Sequence, residues 1–304
     1  MKRRTLGWFA AVVLLASCSS GGTATAAKSV YAIGLTHAAA FTFDATGRLW
    51  IATAAYTDAG TDAVYVVDQA NATPLKVIDR LHTPLGLLWY RGELFVASKD
   101  RVDAYGGLVG TTFTRRRTVV TFPAKVGELN SLVLAPDGRL LLGISAPCDD
   151  CTPASKYSAT IVGFGPDGSG LRVYARGIRA PVGLTFASGR RLLVTMDQPD
   201  HLGSATPGDW LAQVTEGSNW NFPHATTRRP VAVLDKHAGV ADAAMQGDDA
   251  IVAEWAAGKV LRVTPSGTVS TFVTGIKSPA AVATATDGAV FVGDWTTGIV
   301  YRVN

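Results

Sequence analysis

The sequence predicts an all-β fold, a six-bladed β-propeller with four-stranded blades. Two stretches forty residues apart, 253–263 and 293–303, carry nearly the same pattern. Each has an apolar strand, an acid–Trp pair, a turn glycine and a returning strand that ends in Arg-Val. A repeat of this period is typical of propellers and solenoid arrays, and its strand–turn–strand content favours the propeller.

Six segments share a second pattern, a short apolar strand followed by a tight turn and another apolar strand. The turn glycines of the first four segments are 45, 46 and 51 residues apart, a spacing that suits four-stranded blades. These glycines are Gly47, Gly92, Gly138 and Gly189. Glycine supplies the positive φ that reversals between strands require. No segment shows a ten-residue helical period, so six blades are predicted, with seven as the alternative.

A closed ring needs a strand to complete its last blade. We expect the segment near residues 29–31 to supply it. The remaining organisation is a signal peptide over residues 1–18, a flexible tether over 19–28 and one propeller domain over 29–304.

The N-terminus predicts export. Lys2, Arg3 and Arg4 precede an apolar run over residues 6–15, which is too short to span a membrane comfortably and suits a signal peptide. The run ends in Leu-Ala-Ser-Cys, which resembles the bacterial lipobox and implies lipidation of Cys18. The alternative is an ordinary secretory signal in which Cys18 has no role. The lipobox predicts a cell-envelope lipoprotein that faces the periplasm or the cell exterior.

The other two cysteines form the motif Cys148-Asp149-Asp150-Cys151. It could be a redox pair, half of a metal site or a local disulfide. No second cysteine pair or nearby histidine completes a zinc site, and no βαβ pattern supports a thioredoxin-like motif. In an exported protein the disulfide is favoured. So short a loop is expected to add little global stability and to rigidify the chain locally.

Charge argues against nucleic acid as a partner. The formal net charge is only +4, and the single dense basic run, at residues 115–117, is interpreted as a solvated strand edge or hairpin. A monomer is expected, because a closed ring leaves few free strand edges. The longest irregular stretch, residues 197–231, is predicted to carry the functional site, because long loops in compact domains are usually functional.

Residues 130–140, 164–184 and 207–211 resemble motifs of the glucose/sorbosone dehydrogenase family, most closely its sorbosone-dehydrogenase-like branch. The resemblance covers roughly residues 80–304. Members are exported six-bladed propellers that typically use pyrroloquinoline quinone (PQQ) and calcium. The resemblance implies an oxidation in which a base takes the proton of a sugar hydroxyl while hydride passes to the quinone.

The resemblance also implies positions for the cofactor. Arg179 falls where the family places an arginine near the quinone, and Lys277 lies in the equivalent part of the last blade. The planar fork of arginine suits a carboxylate. Alternatively, Arg179 could satisfy carbonyl groups at a blade edge. Calcium takes six to eight oxygen ligands, which Asp197, Asp200 and Asp209 could help to supply, or these acids could be loop residues without a metal.

The sequence departs from the family at the base. An ungapped match puts Gly127 where the family has histidine. Glu128, His201 and His224 are the candidate replacements, although each could instead be a solvated or structural residue. The asparagine that commonly follows the family arginine is Ala180 here. The aromatic residues Trp210, Trp220 and Phe222 could stack a sugar or a flat cofactor, whereas the repeated Trp255 and Trp295 are expected to pack within blades.

Three functions follow. The first is a PQQ-type aldose or sorbosone dehydrogenase, and the second is a non-catalytic propeller that binds a carbohydrate, metabolite or protein. The third is a metal-dependent lactonase, for which Glu128, Asn130 and Asp197 are a loose match to the required ligands.

Overall fold

The computed structural model of the chain describes residues 25–57 and 60–304. Within these residues the fold is almost entirely β, with six four-stranded antiparallel sheets arranged as the blades of a propeller. The prediction of six four-stranded blades is confirmed, and the seven-bladed alternative is wrong. The predicted signal peptide and the lipidation site Cys18 lie outside the described residues. No helix among the described residues is long and apolar enough to span a membrane.

The chain enters the ring through β1, Lys28–Ala32. Blade 1 contains β2 (Ala38–Phe43), β3 (Leu49–Thr53), β4 (Asp62–Val67) and β5 (Leu75–Leu81). Blade 2 contains β6 (Gly86–Tyr90), β7 (Glu93–Ser98), β8 (Arg101–Val109) and β9 (Thr112–Thr121). Blade 3 contains β10 (Leu129–Leu134), β11 (Leu140–Ile144), β12 (Thr160–Phe164) and β13 (Arg172–Arg176).

The second half of the ring follows the same order. Blade 4 contains β14 (Ala180–Ala187), β15 (Arg191–Asp197), β16 (Gly208–Val214) and β17 (Ala232–Lys236). Blade 5 contains β18 (Val240–Gln246), β19 (Asp249–Glu254), β20 (Lys259–Val263) and β21 (Val269–Val273). Blade 6 contains β22 (Pro279–Thr284), β23 (Val290–Asp294) and β24 (Val300–Val303). Its fourth strand is β1.

The ring closes through the N-terminal strand, as predicted. β1 pairs antiparallel with β24, with Lys28 opposite Val303 and Val30 opposite Tyr301. The strand order β1-β24-β23-β22 makes β1 the outermost strand of blade 6. Lys28, which the sequence placed at the end of the tether, is therefore the first residue of the propeller.

The hydrophobic core is divided among the blade interfaces. The buried apolar side chains form six clusters, each shared by two neighbouring blades. The second strand of a blade is covered on both faces, so every residue of β3 and β11 is buried. Burying one large aliphatic side chain contributes about 1.5–3 kcal/mol. The stability of each blade therefore depends on both of its neighbours.

The alternating strand directions define two ends of the molecule. Connections into the first strand of each blade, and connections from the second strand to the third, open at the same end, which we call the upper face. Arg179 precedes β14, Lys277 precedes β22, and residues 198–207 follow β15, so all three lie at this end. The stretch at 197–231, predicted to be irregular, instead contains β16, and its second part, residues 215–231, begins at the opposite end.

Side chains link the innermost strands around the central axis. The Asn130 Nδ2 donates to the carbonyl of Pro181 at 3.1 Å, and the Thr195 hydroxyl donates to the carbonyl of Ala241 at 2.6 Å. Gly183 lies at the second of these junctions, where a Cβ would overlap the backbone of blade 5. These bonds hold neighbouring first strands at a fixed spacing.

Buried acids fasten the loops of the upper face. Asp62 begins β4 and accepts the backbone N–H groups of Ala55 and Thr83. Asp209 holds the equivalent position in blade 4 and accepts those of Gln198 and Val240 at 2.8 and 2.9 Å. Each carboxylate therefore joins a loop of its own blade to the connection that leads into the next one.

The acids of the acid–Trp repeat do the same work. The Asp294 carboxylate accepts the backbone N–H groups of Lys277 and Ser278, and the Glu254 Oε1 accepts that of Asp235. Both carboxyl groups are almost fully buried. The acid in the repeat is thus explained by loop anchoring.

These acids predict how stability varies with pH. Burial raises the pKa of Asp209 to about 6 and that of Asp242 to about 7, and burial also raises the pKa of Glu254. Such groups bind more protons in the folded state, so stability falls as pH rises between their unfolded and folded pKa values. Hydrogen bonds from Arg139 lower the pKa of Asp137, which favours folding only above its folded pKa. We expect the melting temperature to be highest near pH 4–5 and to fall towards pH 7.

A pH series of thermal unfolding curves measures this directly. Glu254→Gln removes one titrating carboxyl group and should make the fall between pH 5 and 7 shallower. Asp287→Asn, at an exposed turn on the opposite end, should leave that fall unchanged. A melting temperature that keeps rising from pH 5 to 7 would contradict the expectation.

Candidate functional site

The upper face opens into two adjoining cavities. The first, the mouth cavity, has a volume of about 780 Å³ and lies between the loops of blades 1 to 4. The second, the axial cavity, has a volume of about 400 Å³ and is lined by the upper ends of all six innermost strands. Both volumes are in the range of small-molecule sites. Five residues line both cavities, namely Tyr56, Glu128, Ser145, Ala180 and Asp197.

Glu128 is the best-placed candidate base. It directly precedes β10 and lines both cavities. Its backbone is held by the Ser145 N–H, which donates to the Glu128 carbonyl at 3.0 Å. Among the described residues, no side chain or backbone group donates a hydrogen bond to its carboxylate. Surrounding protein raises its pKa by desolvation, as a general base needs.

Arg179 is bound by two carboxylates. The Arg179 Nη1 donates to the Asp197 Oδ2 at 2.6 Å, and Nη2 donates to Asp149. Burial raises the pKa of Asp197, and the Arg179 charge opposes that rise. The Arg179 Nε is buried without a hydrogen-bond partner. The guanidinium charge is therefore already balanced within the protein, and only part of its donor capacity is free.

The cysteine motif supplies one of these carboxylates. Cys148 and Cys151 form a disulfide with Cα atoms 5.8 Å apart, which leaves Asp149 and Asp150 in the intervening loop. Asp149 binds Arg179, while the Asp150 Oδ2 lies 3.7 Å from the His201 Nε2. The disulfide thus restrains the acid that neutralises the arginine.

The aromatic wall of the site comes from the repeat. Trp255 and Trp295 both line the axial cavity and pack edge to face with their ring centroids 5.9 Å apart. Trp255 is 42% exposed, and Tyr56 on the opposite wall is 53% exposed. The pKa of the Tyr56 phenol is raised by desolvation and then by the nearby Glu128 carboxylate. The expectation that Trp255 and Trp295 only pack within blades is wrong.

The other aromatic candidates do not reach the cavities. Trp210 and Trp220 pack in the core between blades 3 and 4, with their ring centroids 6.1 Å apart. Phe222 lies in the loop between β16 and β17 and lines neither cavity. Sequence alone could not separate these rings from the exposed pair, because all of them follow or end short strands.

Asp242 is a site residue that the sequence did not single out. It lies on β18 and lines the axial cavity. Its Oδ1 accepts the Ala243 N–H at 2.9 Å, and its Oδ2 accepts the Val282 N–H at 3.2 Å. It therefore links blades 5 and 6 and brings a desolvated carboxylate to the axis.

Neither candidate histidine enters the site. His201 is held at the rim beside Asp150. The His224 side chain is exposed and lines neither cavity, and its backbone N–H donates to the Asn221 carbonyl. The prediction that one of them replaces the family base is not supported by their positions. Lys277 shares the upper face, but its side chain is exposed and also lines neither cavity.

The proposed calcium ligands have other partners. Asp197 binds Arg179, and both oxygens of Asp209 accept backbone N–H groups. The Asp200 Oδ1 lies 2.9 Å from the His237 Nδ1. In the described part of the chain no group of three or more histidine, cysteine or acidic side chains could hold a metal ion. The correction is physical, because these oxygens are directed at existing donors.

Gly127 explains the missing histidine. Its φ of 109° is one that side-chain-bearing residues rarely adopt, and a Cβ there would overlap the carbonyl oxygen of Ser145. The loop can pass this close to β11 only without a side chain. A histidine at this position is therefore incompatible with the observed backbone.

No protein-family model and no curated protein matches the chain. Solved structures do match its fold. An oxidoreductase (glucose dehydrogenase) from Thermus thermophilus superimposes with a TM-score of 0.76 at 17% identity, covering 92% of this chain and 100% of that one.

Two further structures are similar. A calcium structure of a Trichoderma reesei carbohydrate-active enzyme of family AA12 gives a TM-score of 0.75 at 17% identity, covering 92% of this chain and 96% of that one. The PQQ-bound aldose sugar dehydrogenase from Streptomyces coelicolor gives 0.72 at 18% identity, covering 92% and 99%. At these identities the likeness shows a common fold.

The geometry at Gly127 predicts a large effect of a small substitution. Gly127→Ala should lower the free energy of unfolding by about 2–4 kcal/mol, because it adds a steric overlap to an unfavourable φ. Gly138→Ala is a matched control, since Gly138 has a φ of 88° but open space at its Cβ position. Its cost should be about 1 kcal/mol. Equal costs in urea unfolding would show that the Ser145 contact is unimportant.

Proposed function

We propose that this protein is a sugar-dehydrogenase-like propeller that binds a sugar, or a closely related polyol, in the axial cavity. The observation that carries the proposal is the joint lining of that cavity by Trp255 and Glu128. An exposed indole face offers an apolar platform for the C–H face of a sugar ring, and a carboxylate accepts hydrogen bonds from sugar hydroxyls. The shared fold with glucose and aldose sugar dehydrogenases supports the same substrate class.

The polar groups suit such a ligand. Ser131 and Asn130 line the axial cavity beside Glu128 and add neutral hydrogen-bonding groups. The Asn130 amide is itself positioned by bonds to the Ser145 hydroxyl at 2.8 Å and to the Pro181 carbonyl. A few polar groups fixed on strands within a partly apolar cavity give a ligand one orientation.

The residues do not fit PQQ held on calcium. A quinone with several carboxylates needs cationic partners, yet Arg179 is already bound by two carboxylates and Lys277 lies outside both cavities. The candidate calcium ligands are engaged elsewhere, as described above. We therefore place sugar binding ahead of sugar oxidation, and we derive no step that involves the quinone.

Oxidation of the bound sugar is the second candidate function. The Glu128 carboxylate favours it, because it faces both cavities, accepts no hydrogen bond from the described residues and has a raised pKa. Glu128 could take the proton from a sugar hydroxyl at the junction of the two cavities. The lactonase alternative is weaker. Although Glu128, Asn130 and Asp197 all line the axial cavity, Arg179 binds Asp197.

We also propose that the protein is exported and anchored to the membrane through a lipidated Cys18. The basic residues before the apolar run and the lipobox-like Leu-Ala-Ser-Cys support this. We propose a monomer that faces the periplasm or the cell exterior, because the closed ring leaves few free strand edges.

Calorimetric titration of the full-length protein, purified in detergent, with a panel of aldoses tests the binding function. We expect saturable binding of at least one aldose. Trp255→Ala should weaken it about tenfold, the equivalent of about 1.4 kcal/mol, because the stacking face is lost. Leu202→Ala is the control, since Leu202 is an exposed apolar residue of the upper face that lines neither cavity.

Dye reduction with the same sugars, after addition of PQQ and calcium, separates the two candidates. Binding without dye reduction supports the sugar-binding function. Dye reduction that Glu128→Gln abolishes would favour oxidation instead. If no aldose or aldonolactone binds at millimolar concentration, the proposed function is wrong.

A further inference from the structure

The axial cavity has an unusual charge composition. Its described lining includes the carboxylates of Glu128, Asp197 and Asp242, but no lysine, arginine or histidine. Arg179 balances Asp197 from the side of the mouth cavity. Glu128 and Asp242 therefore face the axis without a cationic partner among the described residues.

Both remaining carboxylates are costly to ionise where they lie. Asp242 is stabilised by two backbone N–H groups, which are dipoles and not charges. Glu128 lacks even these contacts. A carboxylate removed from bulk water and left without a counter-charge loses much of its solvation energy. A ligand that brings a positive charge would restore the balance.

The aromatic residues favour the same kind of ligand. Trp255, Trp295 and Tyr56 line the same cavity as the two carboxylates. The face of an indole ring attracts a cation within about 6 Å of its centroid. Because Trp255 presents 42% of its surface, its ring is available to a ligand.

The positive groups nearby cannot serve in place of a ligand. Arg179 is fixed by Asp149 and Asp197, and its buried Nε atom is not in contact with either axial carboxylate. Lys99 and Lys125 line the mouth cavity and are absent from the lining of the axial cavity. The negative charge is thus concentrated at the inner end of the site.

We propose that the axial cavity selects an amine-bearing sugar, with its ammonium group between Glu128 and Asp242 and against the Trp255 ring. This inference rests on the proposed sugar-binding function and names its substrate class. The mouth cavity, whose charges are already paired, would then accommodate the neutral hydroxyl groups of the ligand.

Calorimetric titration of the full-length protein at pH 7 with D-glucosamine, D-glucose and N-acetyl-D-glucosamine tests the proposal. We expect glucosamine to bind at least about tenfold more tightly than glucose, the effect of one charge-assisted contact. N-acetylation removes the charge and should abolish the preference. Equal affinity for glucosamine and glucose would overturn the inference while leaving sugar binding intact.

Variants assign the preference to individual groups. Glu128→Gln should reduce the glucosamine preference to less than about threefold and change glucose affinity little. Because Asp242 also links two blades, Asp242→Asn carries a risk to folding, and Trp255→Leu therefore serves as the second variant. It should weaken the preference by removing the aromatic face. Asp287→Asn, an exposed acid at the opposite end, should change nothing.

Two further arms separate other outcomes. If Ca²⁺ alone saturates the site and prevents glucosamine from binding, the cavity is a metal site and the inference is wrong. If no sugar binds but a small non-sugar amine such as ethanolamine does, selection for a cation is supported and the proposed sugar-binding function fails. A preference that survives Glu128→Gln and Trp255→Leu would place the amine elsewhere and overturn the proposal.

Discussion

The antiparallel pairing of β1 with β24 is the contact on which the rest of the molecule depends. The axial cavity is lined by the first strands of all six blades, so its shape exists only while the ring is closed. Each hydrophobic cluster is shared by two blades, which means that an unclosed blade would leave two apolar faces uncovered. Closure therefore couples the ends of the propeller to the geometry of the site.

Acidic residues on the upper face have two different tasks, and burial alone does not distinguish them. Asp62, Asp209 and Asp294 have their oxygens occupied by backbone N–H groups, and they hold loops in place. Glu128 has no such partner among the described residues and faces the ligand space. The hydrogen-bond partners of a carboxylate, more than its type or its neighbours in sequence, decide which task it performs.

The arginine predicted to hold a cofactor shows how context changes chemistry. Arg179 lies at the expected end of the ring and at the expected cavity, yet the disulfide loop brings Asp149 against it. A guanidinium group paired on two sides has a much weaker attraction for another anion. The same residue in the same place can therefore serve a different ligand, here one with fewer negative charges.

Much of the fold could be predicted because repeats and turns are local features. The acid–Trp repeat, the turn glycines and the closing strand were all visible in the chain. The limits of β16 were missed, because Pro207 and Gly208 look like loop residues and the alternation of a seven-residue strand is weak. Trp255 and Trp295 were assigned to packing for a similar reason, since their repetition indicates a common position but not which side of the blade it faces.

The sequence by itself determined the all-β class, the number of blades and the region of Arg179 and Glu128, because these follow from short-range patterns of apolar residues, glycine and proline. Only the tertiary structure decided which side chains share the axial cavity. That choice depends on how six separate strands converge on one axis. Asp242, Tyr56 and Glu128 are far apart in the chain, and no local pattern records that they meet.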